Sequence, residues 1–480
     1  MNRKMVLNTV GHILLAEAAL LILPAIVSVI YLEECVWSFL ITIGVALALG
    51  LIFKLAFKPA SKLIYAKEGF VIVTYAWLLM SAIGALPFFI SGEIPNYADA
   101  FFETVSGFTT TGASILTDLE AMSKGLLFWR SFTHWIGGMG VIVFVMALIP
   151  NIADRSMNIM KAEVPGPTVG KLVPKARETA KILYLIYIAM TIVMTLMLFI
   201  GGMPFFDSVV HTFGTAGTGG FGIKATSIGG YSPYCQWVIT VFMLLFSLNF
   251  NLYYLILLRK FKAVLKSTEL WFFLGLVAVS IAVITFDISP MYTSFSETIR
   301  TSSFQVATII STTGYATADF NTWPSLSKAI LFTLMFIGGC AGSTAGGLKN
   351  ARVVMLIKTV HRELKKLLHP RSVRAVSMES KRVDEQTLGG VTSYFAVYAM
   401  CVMGIFVLLS IEPFGIETNL SATVACFNNV GPGFGMVGPT GSYAEYSTFS
   451  KLLLSLAMLL GRLEIFPLIL GLNPLVWKRR

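Results

Sequence analysis

The chain is divided into apolar blocks long enough to cross a bilayer, and no other feature limits its possible folds so tightly. Residues 13–31, 36–53 and 182–200 are three of them, filled with Leu, Ile, Val, Phe and Met. A helix needs roughly 20 mainly apolar residues to span the hydrocarbon core. A soluble domain with many such blocks has too little polar surface to solvate itself. Composition agrees: of 480 residues, 56% are hydrophobic and 13% charged, with a mean hydropathy of +0.77. The first block follows Arg3 and Lys4 but reads as a span rather than a signal peptide. It is long, a second span follows closely, and no small-residue cleavage site closes it. The expected class is an all-α polytopic membrane protein with lipid as an obligatory partner.

Four short polar runs interrupt this apolar chain. They are Thr109-Thr110-Thr111-Gly112, Gly217-Thr218-Gly219-Gly220, Ser311-Thr312-Thr313-Gly314 and Asn429-Val430-Gly431-Pro432-Gly433. A dehydrated cation needs a ring of oxygen dipoles, and four copies of one loop can supply it from backbone carbonyls. Turning successive carbonyls inward demands left-handed backbone, which glycine adopts without a Cβ clash. Thr and Ser hydroxyls add further hard oxygen donors suited to alkali ions. With no carboxylate inside the loops, a divalent-cation cage is disfavoured. The candidate ion ligands are therefore Thr110, Thr111, Gly112, Thr218, Gly219, Gly220, Thr312, Thr313, Gly314, Gly431, Pro432 and Gly433.

An internal repeat surrounds these loops. Each unit holds an apolar span, a short stretch, the Gly loop and another apolar span, at about 69–150, 181–258, 268–360 and 388–472, after two spans at about 9–32 and 36–57. The division expected is 1–67 for the N-terminal helix pair, 68–150, 151–260, 261–387 and 388–480 for four pore units. That makes about ten transmembrane helices plus four half-helices. The stretches before the loops (97–108, 204–216, 296–309 and 417–428) are too short to cross and suit re-entrant half-helices. Non-helical backbone at membrane depth survives only where protein or a water-filled cavity satisfies it. The loops should then line a central pseudo-fourfold pore, with the partly negative helix C-termini aimed at the cation. Residues 99–104 align without a gap on 207–212, which sets Gly112 over Gly220, although Gly219 also competes for the position. In the fourth loop Pro432 stands where Thr stands elsewhere.

The net charge of +11 is unevenly spread. Lys54, Lys58, Lys62 and Lys67 lie between the second and third blocks, and Arg155, Lys161, Lys171, Lys175, Arg177 and Lys181 fill the next long loop. Arg259, Lys260, Lys262 and Lys266, the stretch 349–382, and Lys478, Arg479 and Arg480 complete the set. The positive-inside rule puts all of these, and both termini, in the cytoplasm. Topology, anionic lipid and a cytoplasmic partner protein explain them better than nucleic acid. The opposite connections are acidic and carry the Gly loops, so an acidic vestibule that concentrates cations is expected. Five cysteines and five histidines are scattered, with no metal or redox spacing.

On these residues the chain resembles the Trk/Ktr/HKT superfamily of potassium transporters. The series Thr-Thr-Thr-Gly-Ala, Thr-Gly-Gly-Phe, Ser-Thr-Thr-Gly-Tyr and Gly-Pro-Gly-Phe is similar to its filter loops, and the two extra N-terminal helices fit its Trk-H type. Residues 338–349 resemble the family's intramembrane gating loop, and Arg462 its pathway arginine. The resemblance implies gating roles for Gly338, Gly339, Gly342, Gly346, Gly347, Lys349 and Arg462. It also implies a homodimer, docked on a cytoplasmic nucleotide-binding regulatory subunit of the TrkA type. Arg462 stands among Leu459, Leu460, Leu463 and Ile465, and a mid-membrane Arg usually faces a polar interior.

The function expected is potassium uptake across the inner (plasma) membrane through a gated, filter-lined pore, with no cofactor in this chain and potassium as the transported ion. The rival is a sodium- or proton-coupled symporter, for which Glu17 and Glu464 are the carboxylates well inside spans. An enzyme is not expected, since no nucleophile–base pair is present. Residues 217–222 and 433–438 match G-x-G-x-x-G, but neither follows a strand in a βαβ unit.

Overall fold

The computed structural model describes residues 2–59, 66–140, 176–371, 374–379 and 381–474. Lys62, Arg155, Lys161, Lys171, Lys175 and the terminal Lys478, Arg479 and Arg480 lie outside the described residues, as does the end of the first unit beyond 140.

The N-terminal pair is α1 (Arg3–Leu20), α2 (Ile22–Ile30) and α3 (Val36–Ala56). Together α1 and α2 make one 28-residue span. Leu21 divides it, and Pro24 lies in the first turn of α2, where a missing N–H does least harm. Gly11 of α1 faces Gly50 of α3, and a Cβ on Gly11 would meet the Gly50 carbonyl at 2.9 Å. Such small-residue contacts let helices approach in lipid, where apolar burial gives no drive for association.

The first unit holds α4 (Ala66–Gly84), α5 (Leu86–Ile90), α6 (Tyr97–Phe108) and α7 (Lys124–Gly138). The second has α8 (Ala176–Ile200), α9 (Phe205–Ala216), α10 (Pro233–Phe246), α11 (Phe250–Leu257) and the short α12 (Phe261–Leu265). The third has α13 (Thr268–Ile288), α14 (Phe295–Ile310), α15 (Ser325–Ile337) and α16 (Asn350–Leu368). A two-stranded hairpin, Ser377–Met378 against Lys381–Arg382, follows. The fourth has α17 (Glu385–Leu409), α18 (Ile416–Phe427), α19 (Thr448–Arg462) and α20 (Ile465–Leu472). Among the described residues the regular architecture is helical apart from the hairpin.

The half-helices α6, α9, α14 and α18 fall where the sequence pattern places them. Each carries an acid in its first turn (Asp99, Asp207, Glu297, Glu417), which favours the exposed N–H groups there. The second spans differ from expectation. A break was expected only in the third unit, but three are broken among the described residues. The pair α10 and α11 bends by 90° and the pair α19 and α20 by 118°. Short polar joints cause the bends: the Asn249 side chain accepts from the Asn251 N–H at 2.9 Å and starts α11 afresh. Among the described residues, six helices are therefore long and apolar enough to cross continuously, with two bent pairs beside them.

Burial is inverted relative to a soluble protein. Trp37, Leu196, Ile200, Phe286 and Val407 are exposed on the flanks, while the threonines of the Gly loops are buried at the centre.

Candidate functional site

The four half-helices end in the same way. The N–H of Thr111 bonds the Ser106 carbonyl at 2.9 Å, Gly219 bonds Gly214 at 2.8 Å, Thr313 bonds Thr308 at 2.9 Å and Val430 bonds Ala425 at 2.8 Å. One residue earlier, Thr110 bonds Gly107, Thr218 bonds Thr215, Thr312 bonds Ile309 and Asn429 bonds Cys426, at 3.0–3.3 Å. This pair of bonds is the Schellman closure, which requires a left-handed residue just past the helix. Thr110, Thr218, Thr312 and Asn429 occupy that place with φ of 54°, 57°, 57° and 55°. Two residues later φ is positive again, at 79° in Gly112, 72° in Gly220, 87° in Gly314 and 95° in Gly431. Alternating left-handed with ordinary residues turns successive carbonyls to one side of the chain. A β-branched residue seldom adopts positive φ, so three threonines in that state mark backbone held by its surroundings.

The loops close into a ring. A Cβ built on Gly112 would run into the Gly219 carbonyl oxygen, one on Gly220 into that of Thr313, one on Gly314 into that of Val430, and one on Gly431 into that of Thr111. Each loop therefore abuts the next in chain order, and the fourth returns to the first. Thr110, Thr111, Thr218, Thr312 and Thr313 are all fully buried, and Thr110 Oγ1 has no hydrogen-bond partner. On the side away from the half-helices lies a cavity of about 140 Å³, bordered by Gly112, Gly220, Gly314 and Gly431.

One open choice closes here and one register changes. Both glycines of the second loop belong to the ring: Gly220 holds the left-handed place, as the ungapped alignment set it, while Gly219 supplies the carbonyl that faces Gly112 and has no side chain because the His134 imidazole occupies that space. In the fourth loop Asn429 and Val430 take the positions of Thr110 and Thr111. Pro432 and Gly433 fall beyond the ring, and the Gly433 N–H bonds the Val437 carbonyl at 2.7 Å. The Gly-Pro-Gly run misled the register. Counting from the end of the half-helix would have found it, because α6, α9 and α18 have the same length.

The acidic vestibule also needs correction. The charged residues bordering the cavity are Arg130 and Lys224. Several carboxylates on that side cap helices instead. Glu33 accepts from the N–H groups of Lys124 (2.6 Å) and Gly125 (2.9 Å), Asp287 from that of Ser327 (3.1 Å), and Glu412 from that of Ser447 (3.0 Å). Helix N-termini leave unmatched donors that attract carboxylates. Glu103 is spent on Arg130, at 2.6 Å.

Against the half-helix side of the ring lies the 338–349 loop, between α15 and α16. Gly338, Gly342, Gly347 and Lys349 all have positive φ. Gly346 donates to Thr312 Oγ1 at 2.6 Å, and Gly347 to the Asn428 carbonyl at 3.0 Å, so this loop touches two of the four Gly loops. Cys340 donates to the Ser247 carbonyl at 2.9 Å, at the α10–α11 break. Gly339 is walled by the Ala345 and Ser247 side chains. Arg462, at the α19–α20 break, donates to the Thr344 carbonyl at 2.7 Å and to those of Gly137 and Gly138 at 2.6 Å each. Its guanidinium thus links the loop to the first and fourth units. Lys349 donates to the Ala345 carbonyl. Glu464 pairs with Arg352 of α16, whose guanidinium lies 4.0 Å from the Tyr394 ring centre. All seven gate residues expected from sequence therefore lie in or against one loop. Thr344, Arg352 and the Gly137 and Gly138 carbonyls were not anticipated. Backbone acceptors carry no sequence signal, and Arg352 looked like one more basic residue.

Known proteins resemble the chain over its whole length. The TrkH family, described as cation transport protein, matches residues 37–474. The Trk system potassium uptake protein TrkH of Salmonella typhimurium is 36% identical over 487 residues, covering all of both chains. Its counterpart in Escherichia coli K12 is 35% identical, again over the full length of both. The crystal structure of the potassium transporter TrkH from Vibrio parahaemolyticus matches with a TM-score of 0.89 at 31% identity, covering all of both chains.

Proposed function

The chain belongs to the TrkH family of cation transport proteins, and from that premise we propose how it takes up potassium. The ion passes through the ring formed by residues 110–112, 218–220, 312–314 and 429–431, and the 338–349 loop closes the path from the other side. One observation carries the reading: each loop glycine has no room for a Cβ because the carbonyl oxygen of the next loop is there, around all four loops. A ring of carbonyl oxygens replaces the hydration shell of a monovalent cation.

The gate reading rests on the contacts made by Gly346 and Gly347 with the filter and on the three carbonyls held by Arg462. The guanidinium held at the loop repels an approaching cation until the loop moves. We assign the filter and gate to a multi-pass protein of the inner membrane with both termini cytoplasmic, in keeping with the distribution of Lys and Arg. It transports rather than catalyses. A homodimer resting on a TrkA-type nucleotide-binding subunit is the assembly proposed, with residues 349–382 among the contact surfaces. A coupled symporter would place an ionisable group in the path. Glu464 is engaged by Arg352, and Glu17 belongs to α1, outside the four units.

The test is rubidium uptake into vesicles holding the purified chain under an imposed potential. Uptake that follows voltage without a sodium or proton gradient supports the pore. A strict requirement for either gradient replaces it with a coupled carrier.

A further inference from the structure

Glu269 stands in the first turn of α13, yet its carboxylate serves another part of the chain. It is buried, and its Oε1 accepts from the Ala341 N–H at 2.7 Å and from the Ala351 N–H at 2.9 Å. Ala341 lies in the 338–349 loop, and Ala351 lies in the first turn of α16, just past the loop's end. One oxygen atom thus gathers two points ten residues apart in the chain, from either side of the loop's centre. A helix N-terminus has unmatched donors and a partial positive charge, both of which a carboxylate satisfies. Here that carboxylate comes from α13, a continuous span that is not part of the loop.

The other contacts hold different parts of the loop. Arg462 grips Thr344 at its centre, and Lys349 folds back onto Ala345. Asn350 donates through Nδ2 to the Gly338 carbonyl at 2.7 Å, which closes the base of the loop on itself. Glu269 is the carboxylate that fastens this base to a neighbouring helix.

We infer that Glu269 is a positioning residue that fixes the 338–349 loop under the filter by anchoring both its limbs to α13. This rests on the reading of that loop as the gate. Removing the carboxylate leaves two buried N–H groups without acceptors, a cost that the closed loop alone bears. The loop then leaves its closed position more readily.

Two readouts on the full-length chain in vesicles test this. Cys340, buried beside Ala341, reports loop position once Cys35, Cys235, Cys401 and Cys426 are replaced by Ala. Its rate of reaction with a water-soluble thiosulfonate is measured alongside rubidium flux. Glu269→Ala is expected to raise both by about tenfold, whereas Glu269→Gln, which keeps an acceptor oxygen at the same reach, should restore both to within about twofold of the parent. A parallel background retaining only Cys426, buried in α18, detects general loosening. Acceleration at Cys426 as large as at Cys340 overturns the inference. So does an unchanged Cys340 rate in Glu269→Ala. If Arg462→Ala raises flux and Glu269→Ala moves neither readout, the gate reading stands and the anchor falls. If Cys340 becomes reactive in Glu269→Ala while neither variant changes flux, the anchor stands and the gate reading falls.

Discussion

Thr110, Thr218 and Thr312 hold a left-handed backbone state that their β-branched side chains disfavour, Asn429 holds the same state at little cost, and the glycines two residues later hold one that only glycine fits. The two glycines of the second loop separate these causes. Gly220 faces backbone, since a Cβ there would meet the Thr313 carbonyl. Gly219 faces a side chain, the His134 ring. Gly220→Ala is therefore expected to reduce selection of potassium over sodium by about tenfold, equivalent to ~1.4 kcal/mol, and no side-chain truncation should restore it. Gly219→Ala should also lose selection, but His134→Ala in the same chain should recover part of it. Relative permeability from reversal potentials distinguishes the two. Arg462 is the other decisive residue. It donates to three carbonyls, and Arg462→Ala is expected to raise rubidium flux by about tenfold, the scale of a lost charged hydrogen bond. Equal or lower flux would make its role purely structural.

Helix ends govern the molecule at the next scale. Four Schellman closures place the ring of carbonyls, and breaks in three second spans bring Asn249, the 338–349 loop and Arg462 together beneath it. The half-helices were legible in the sequence because 97–108 and its three counterparts are too short to cross. The breaks at Asn249 and Glu464 were not, since each involves few residues inside an otherwise apolar run. Local polarity marks a break only when the neighbouring helices that satisfy it are known. The acidic loops were misread for a related reason: a carboxylate that caps a helix has the same sequence signature as one that faces solvent. Glu412 offers a check. Partial burial pulls its carboxyl upward, but hydrogen bonds from Ser447 and Ser450 outweigh this and hold it below its ordinary value of 4.5. A depressed carboxyl contributes stability fully above that value and loses it as pH falls through the folded value. The melting temperature of the parent should thus fall more steeply below about pH 4.5 than that of Glu412→Gln. Parallel curves would show that the cap is not formed in solution.

The whole molecule is an apolar shell around a polar axis, and the chain closes that axis alone. The four units are unequal copies. Thr111 and Thr313 carry hydroxyls bonded to Thr109 and Ser311 at 2.8 and 2.7 Å, whereas Gly219 and Val430 stand at the same position in the other two loops. The ring therefore has fourfold backbone and alternating side chains, and the Asn429 amide braces it by donating to Thr111 Oγ1 at 2.9 Å. Asn429→Ala is expected to weaken potassium selection while leaving the other three loops in place, measurable as relative permeability. The most direct measurement is anomalous X-ray scattering from crystals grown in rubidium. A rubidium peak is expected on the axis, encircled by the carbonyls of Thr111, Gly219, Thr313 and Val430. A saturating rubidium concentration that leaves this axis empty, or that places its peaks away from the four loops, would contradict it.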